Sequence, residues 1–287
     1  MKNLVTTIIF AALISLIVSY GVTSHGTRSS QSKSSPSEVY DRVFKTGVIR
    51  CGYTPYSVGL MKDPNTGKLS GVYYDVVQEL AKNLSLKVEY TEEVGWGQQI
   101  EGLNADRFDM MCSPTGLFSG RARAADFSIP LYYSPVVIWA RANDARFDHD
   151  IKSINDPAVK ISTLDGELTT AFARNFFPKA QQVALPQMTP FSDLMMQVTT
   201  GKADVTFAEP SAVYEFMENN QNKLRQIIMT KPLVVIPNIL LLKRDQYAFK
   251  QMIDNGLREL FNTGFIDRAI DKYEKYPNSY IRETALR

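Results

Sequence analysis

Hydrophobic positions along the chain follow two rhythms that alternate. "GVIRCGYT" at 47–54 is a short apolar run closed by turn residues, and predicts a buried strand. "KDPNTGKLSG" at 62–71 carries Pro, Asn and two Gly, and predicts a turn. In "YYDVVQELAKNLSL" the positions Val76, Val77, Leu80 and Leu84 share one helical face, with Asp75 placed to cap that helix. "KVEYTEEV" alternates as a strand, "WGQQIEGLNADRFD" reads as a short helix and turn, and "FDMMCSPTG" as a second buried strand. The order is β-α-β-α-β, which implies a parallel sheet with right-handed crossovers.

The same order then repeats. "VKISTLDG", "QQVALP" and "ADVTFAEP" read as strands, and "ELTTAFARNFF", "PFSDLMMQVTTGK" and "SAVYEFMENN" as helices. "VVIPNILLLKRD" is a further extended segment. Phe249, Met252, Ile253, Leu257, Leu260 and Phe261 recur at helical spacing, Gly264 breaks the helix, and Phe265, Ile266, Ala269, Ile270 and Tyr273 begin another. Two α/β units whose strand carboxyl ends face each other make a cleft, and open α/β sheets bind ligands there. The candidate site residues therefore follow the strands: 53–57, Trp96, 113–116, Arg121, 165–169 and Glu209.

The N-terminus departs from this pattern. One lysine precedes an apolar run from Leu4 to about Val18, followed by small and polar residues. Residues 1–24 read as a secretory signal peptide or as an uncleaved membrane anchor, and both readings stay open. Either one exports the rest of the chain. Residues 25–37 form a Ser-rich linker.

Composition narrows the chemistry. The 287 residues are 44% hydrophobic and 22% charged, which is ordinary globular composition. A net charge of +2 with no long basic run argues against a nucleic-acid partner. The two histidines, His25 and His149, and the two cysteines, Cys51 and Cys112, lack zinc-site spacing. No activated nucleophile or cofactor loop is visible, so no catalytic residue, metal ligand or cofactor is expected. Cys51 and Cys112 fall on neighbouring predicted strands; a disulfide and two buried free thiols both remain open.

The ordered set "VIRCGYTPY", "GKLSGVYYDVVQELAKNL", "FDMMCSPTG", "GRARAADFSIPLYYSP", "TLDGELTTAF", "GKADVTFAEPSAVYEF" and "NILLLKRDQYAFKQMIDNGLRELFNTGFIDRAIDKYEKY" resembles the periplasmic amino-acid-binding proteins of ABC transporters, solute-binding protein family 3. The likeness covers residues 43–276. It implies an α/β fold of the two-lobed type II periplasmic-binding-protein class, two parallel-type sheets hinged by two crossing strands. The hinges would fall at 131–135 and 234–238. Lobe 1 would comprise 38–132 and 238–287, and lobe 2 136–234. It also implies a monomer that closes on a small-molecule ligand and presents it to a membrane permease.

Site residues follow from the resemblance position by position. An arginine five residues before "DFS" receives the ligand α-carboxylate in the family; here it is Arg121, with Arg123 as a neighbouring surface control. Gly116 stands where the family has Ser or Thr and offers only backbone. Pro114 removes an amide donor, with Ser113, Thr115 and Ser119 as nearby substitutes. Glu209 replaces an Asp that meets the ligand ammonium group. Glu167 replaces a Thr and would repel an anionic ligand group. Trp96 and Tyr53 either wall the ligand or pack in the core, and Tyr132 and Tyr133 pack at the hinge. Two other functions share the fold: a dehydratase acting on prephenate-like acids, with Glu167 and Glu209 as acid-base groups, and a ligand-sensing ectodomain.

Overall fold

The computed structural model describes residues 38–56, 58–277 and 279–283. The expectations for the signal or anchor, the Ser-rich linker, His25 and Ser57 lie outside the described residues. Among the described residues, no helix is long and apolar enough to cross a membrane.

Two ten-residue strands organise the molecule. β7 (Tyr132–Arg141) and β12 (Val234–Lys243) lie antiparallel, from Val234 opposite Val136 to Asn238 opposite Tyr132. On one side β12 continues against β5 (Met110–Gly116), which pairs in parallel with β1 (Val48–Tyr53); β1 pairs in parallel with β4 (Lys87–Glu93). On the other side β7 continues against β10 (Val205–Ala208), followed in parallel by β8 (Lys160–Leu164) and β9 (Gln181–Leu185). Each lobe thus has the expected three-stranded parallel core. The crossing strands run antiparallel to both cores and join them in one hydrogen-bonded path. The shared stretch coincides with the two segments expected to cross between lobes.

Burial follows strand position. β5 lies between β1 and β12 and is buried at all seven residues, whereas the edge strand β4 alternates between half-buried and exposed. β7 carries Val136, Ile138 and Ala140 to one core and Val137 and Trp139 to another, so the run "VVIWA" is apolar because both faces are covered. In lobe 1, α2 (Val72–Asn83), α8 (Tyr247–Asn262) and α9 (Phe265–Tyr273) close over β1 and β5 through Val76, Leu80, Phe249, Ile253, Leu257 and Ile270. Gly264 joins α8 to α9 at φ 69°, the left-handed region a β-carbon disfavours.

Two local expectations change. Asp75 does not cap α2: the helix starts at Val72 after Gly71, and Asp75 sits in its first turn, 2.7 Å from Lys272 of α9. An acid there is still favoured by the helix dipole, which is why the sequence signal resembles a cap. Cys51 and Cys112, left open above, form a disulfide. In the β1–β5 register Cys51 stands opposite Met110, and Cys112, two residues on, shares the face of Met110. The thiols therefore point to the same side of the sheet.

The sequence rhythm also passes over several short elements. α1 (Glu38–Thr46) buries only Val39 and Val43. β6 (Ala125–Phe127) follows α4 (Ser119–Ala122), a single turn after β5. The chain end returns to the crossing strands, where Ile281 exchanges backbone hydrogen bonds with Tyr133 at 2.7 and 2.8 Å.

Candidate functional site between the lobes

Arg121 is presented by α4, just beyond the carboxyl end of β5, and is 4% exposed. Its Nη1 donates to the carbonyl of Gly116 at 2.9 Å, and its Nη2 donates to Glu167 Oε1 at 2.5 Å. The Phe118 ring lies 4.9 Å from the guanidinium carbon. Glu167 belongs to the other lobe. It follows β8 and stands immediately before α5 (Leu168–Phe176), where the dipole favours an anion. Burial pushes its carboxyl above the usual range, while Arg121 pulls it back. Arg121 and Glu167 therefore form a buried ion pair across the seam of the lobes.

Glu209 has the same local setting without the cation. It follows β10, stands immediately before α7 (Pro210–Asn219), and is 7% exposed. Among the described residues no Lys or Arg pairs with it. Burial pushes its carboxyl up to about 7, and the Ser134 hydroxyl offsets this only in part. That hydroxyl in turn accepts from the Asn238 side-chain amide at 2.8 Å, which fixes it on the crossing strands.

A cavity of about 60 Å³ lies at the seam. Lobe 1 contributes Tyr56, Trp96, Pro114 and Gly116; lobe 2 contributes Glu167, Leu168, Thr169, Phe172, Phe191 and Glu209. The crossing strands supply Val136, Ile236 and Asn238. A β-carbon on Gly116 would lie 2.4 Å from Leu168 Cδ1, so the bare backbone lets the lobes meet there. Tyr56 packs edge-on against both Trp96 and Phe191, each pair of ring centroids 5.4 Å apart.

Of the residues expected at the site, Trp96, Gly116, Glu167 and Glu209 line this cavity, and Arg121 stands directly behind Glu167 and Gly116. Tyr53 is elsewhere: as the last residue of β1 it packs its ring on Tyr90 at 5.7 Å, with the Lys62 ammonium 5.9 Å away. The chain needs three more residues to reach the seam, where Tyr56 takes the aromatic position. Ser113 and Thr115 are committed within lobe 1, Ser113 Oγ accepting from the Thr54 N–H at 3.1 Å and Thr115 donating to the Ser113 carbonyl at 3.4 Å. Leu168 falls within the expected stretch 165–169, whereas Phe191 and Phe172 carry no site signal in the sequence, because apolar residues beside or within helices look like ordinary core. Among the described residues no cluster of His, Cys, Asp and Glu is placed to hold a metal ion.

The model of the bacterial extracellular solute-binding proteins, family 3, matches residues 48–276. A probable amino-acid ABC transporter-binding protein of Haemophilus influenzae is 29% identical over 192 residues, 64% of this chain and 68% of that one. A cyclohexadienyl dehydratase of Pseudomonas aeruginosa is 26% identical over 242 residues, covering 82% and 86%. Among solved structures, an ancestral amino acid-binding protein, a precursor of cyclohexadienyl dehydratase, shares the fold with a TM-score of 0.70 at 24% identity, over 82% of this chain and 98% of that one.

Proposed function

Because the chain belongs to the bacterial extracellular solute-binding proteins of family 3, we propose that it captures a small amino acid or related solute between its lobes and delivers it to an ABC-transporter permease. Lobe 1 is 38–132 with 238–287, lobe 2 is 136–234, and the protein acts as a monomer in the periplasm. It gets there through its N-terminal segment, cleaved or retained as an anchor. Closure bends the β7–β12 pair, which joins the two lobes.

The observation that carries this reading is Glu209: a buried carboxylate with no cation, aimed at a cavity walled by both lobes. A carboxylate in that position is costly unless an opposite charge arrives. A ligand ammonium group supplies it and, by touching both lobes, favours the closed form. The test has two readouts on protein stripped of ligand by unfolding and refolding. A saturating solute compacts the molecule in small-angle scattering, and at about 100 times its Kd stabilises it by roughly 2.7 kcal/mol. Saturation without compaction would remove the hinge from the account.

Glu209 also supports a second reading. A buried carboxyl titrating near 7 is a competent proton donor at neutral pH, and one relative is a cyclohexadienyl dehydratase. A turnover assay with cyclohexadienyl carboxylic acids decides between the two: sustained product formation that Glu209→Gln abolishes would establish an enzyme.

A further inference from the structure

The two carboxylates at the seam and the one guanidinium leave an odd charge. Arg121 and Glu167 neutralise each other at 2.5 Å, both nearly excluded from water. Glu209 remains, and among the described residues the cavity wall contains no Lys, Arg or His. Several other polar groups in the wall are already engaged. Thr169 Oγ accepts the Leu164 N–H at 2.9 Å, the Asn238 amide donates to Ser134, and Pro114 has no N–H to give. Both Nη atoms of Arg121 already hold protein oxygens.

A zwitterionic amino acid fits this arrangement poorly. Its ammonium group satisfies Glu209, but its carboxylate then meets a second carboxylate, Glu167, and no uncommitted cation. To reach Arg121 it must displace Glu167, which is 8% exposed and would be left buried without a partner. A zwitterion also leaves the net charge of the three groups at one negative unit, whereas a monocation cancels it. The aromatic pair Tyr56 and Trp96 adds ring faces and edges suited to the alkyl and ammonium parts of such a ligand.

We propose that the solute of this cavity is a small organic monocation without a carboxylate, an amine held by Glu209, and that Glu167 fills on Arg121 the place a ligand carboxylate would take. This rests on the solute-binding reading above and narrows its ligand class. Glu167 is then a specificity-determining residue, excluding anions by occupying the fork that would bind them.

Calorimetry on the stripped protein with matched pairs tests this: isobutylamine against valine, isoamylamine against leucine, phenethylamine against phenylalanine. At least one amine should bind 10-fold or more tightly than its parent amino acid. Glu209→Gln, which removes a buried charge and no packing, should weaken that amine at least ~30-fold. Glu167→Thr frees Arg121 and should shift the preference toward the amino acid. An amino acid binding as tightly as its amine, or more so, overturns the amine assignment and leaves solute capture standing. Binding of neither class, with lysine and arginine also inert, overturns both.

Discussion

Glu167 and Glu209 are two versions of one local design. Each follows a parallel strand of lobe 2, each stands immediately before a helix, and each is nearly excluded from water at the same cavity. They differ in their partners: Arg121 reaches across from lobe 1 to Glu167, whereas among the described residues no Lys or Arg reaches Glu209, which has the Ser134 hydroxyl. Helix dipole and burial are similar for both, so the contrast isolates what a tertiary partner adds. A paired buried carboxylate belongs to the seam of the protein. An unpaired one, facing the cavity, is a demand for a cation that the described residues do not meet.

Removing the partner is the strongest way to break that contrast. Arg121→Ala should make Glu167 resemble Glu209 and cost about 3–5 kcal/mol in chemical denaturation at pH 8, because a buried pair loses one member. Replacing both members with well-packed apolar residues should restore most of that loss. If Arg121→Ala alone is neutral, the ion pair does not persist in solution.

The converse change sharpens the contrast and carries a sign. Glu209 titrates near 7 in the folded chain against an ordinary 4.5, so between those values the folded state holds a proton the unfolded state has released. Its contribution to stability is full below about 4.5 and is lost as pH rises through 7. That difference corresponds to roughly 3 kcal/mol. Glu209→Gln should therefore match wild type near pH 4.5 and exceed it by up to ~3 kcal/mol at pH 8. The groups coupled to Glu209, the phenols of Tyr56, Tyr73, Tyr132 and Tyr280, all have their titration raised, so they stay neutral across this window. Equal pH dependence in variant and wild type would show that Glu209 is solvated.

Arg123→Ala should have the smallest effect, within ~0.5 kcal/mol. Arg123 is exposed, and what it offers to Arg244 is its backbone carbonyl, which the substitution keeps.

These contrasts also mark what the sequence made legible. The repeated α/β order is written in local periodicity and is seen in the structure, whereas the crossing segments followed from the family resemblance and not from periodicity. Position along a strand was legible for Trp96, Glu167 and Glu209, which follow strand ends. Choosing Tyr53 over Tyr56 required knowing where β1 stops, and element ends are weakly encoded. The Cys51–Cys112 bond depended on strand register, which neither cysteine specifies alone. Arg121 could be placed at the cleft because it follows a predicted strand and stands where the resembled family has its arginine, but its partner could not. Glu167 lies 46 residues away in the other lobe, and that meeting is a property of the tertiary fold.

The account turns on Glu209 being a buried carboxyl without a cation, and carbon-13 NMR of the glutamate side-chain carboxyl groups observes that state directly. Titration of stripped protein, assigned with Glu209→Gln, should show the Glu209 resonance moving with a midpoint near 7. Addition of a bound amine should move that midpoint well below 7 as the carboxylate gains its counterion. A Glu209 midpoint near 4.5 in the free protein, unchanged by ligand, would contradict the account.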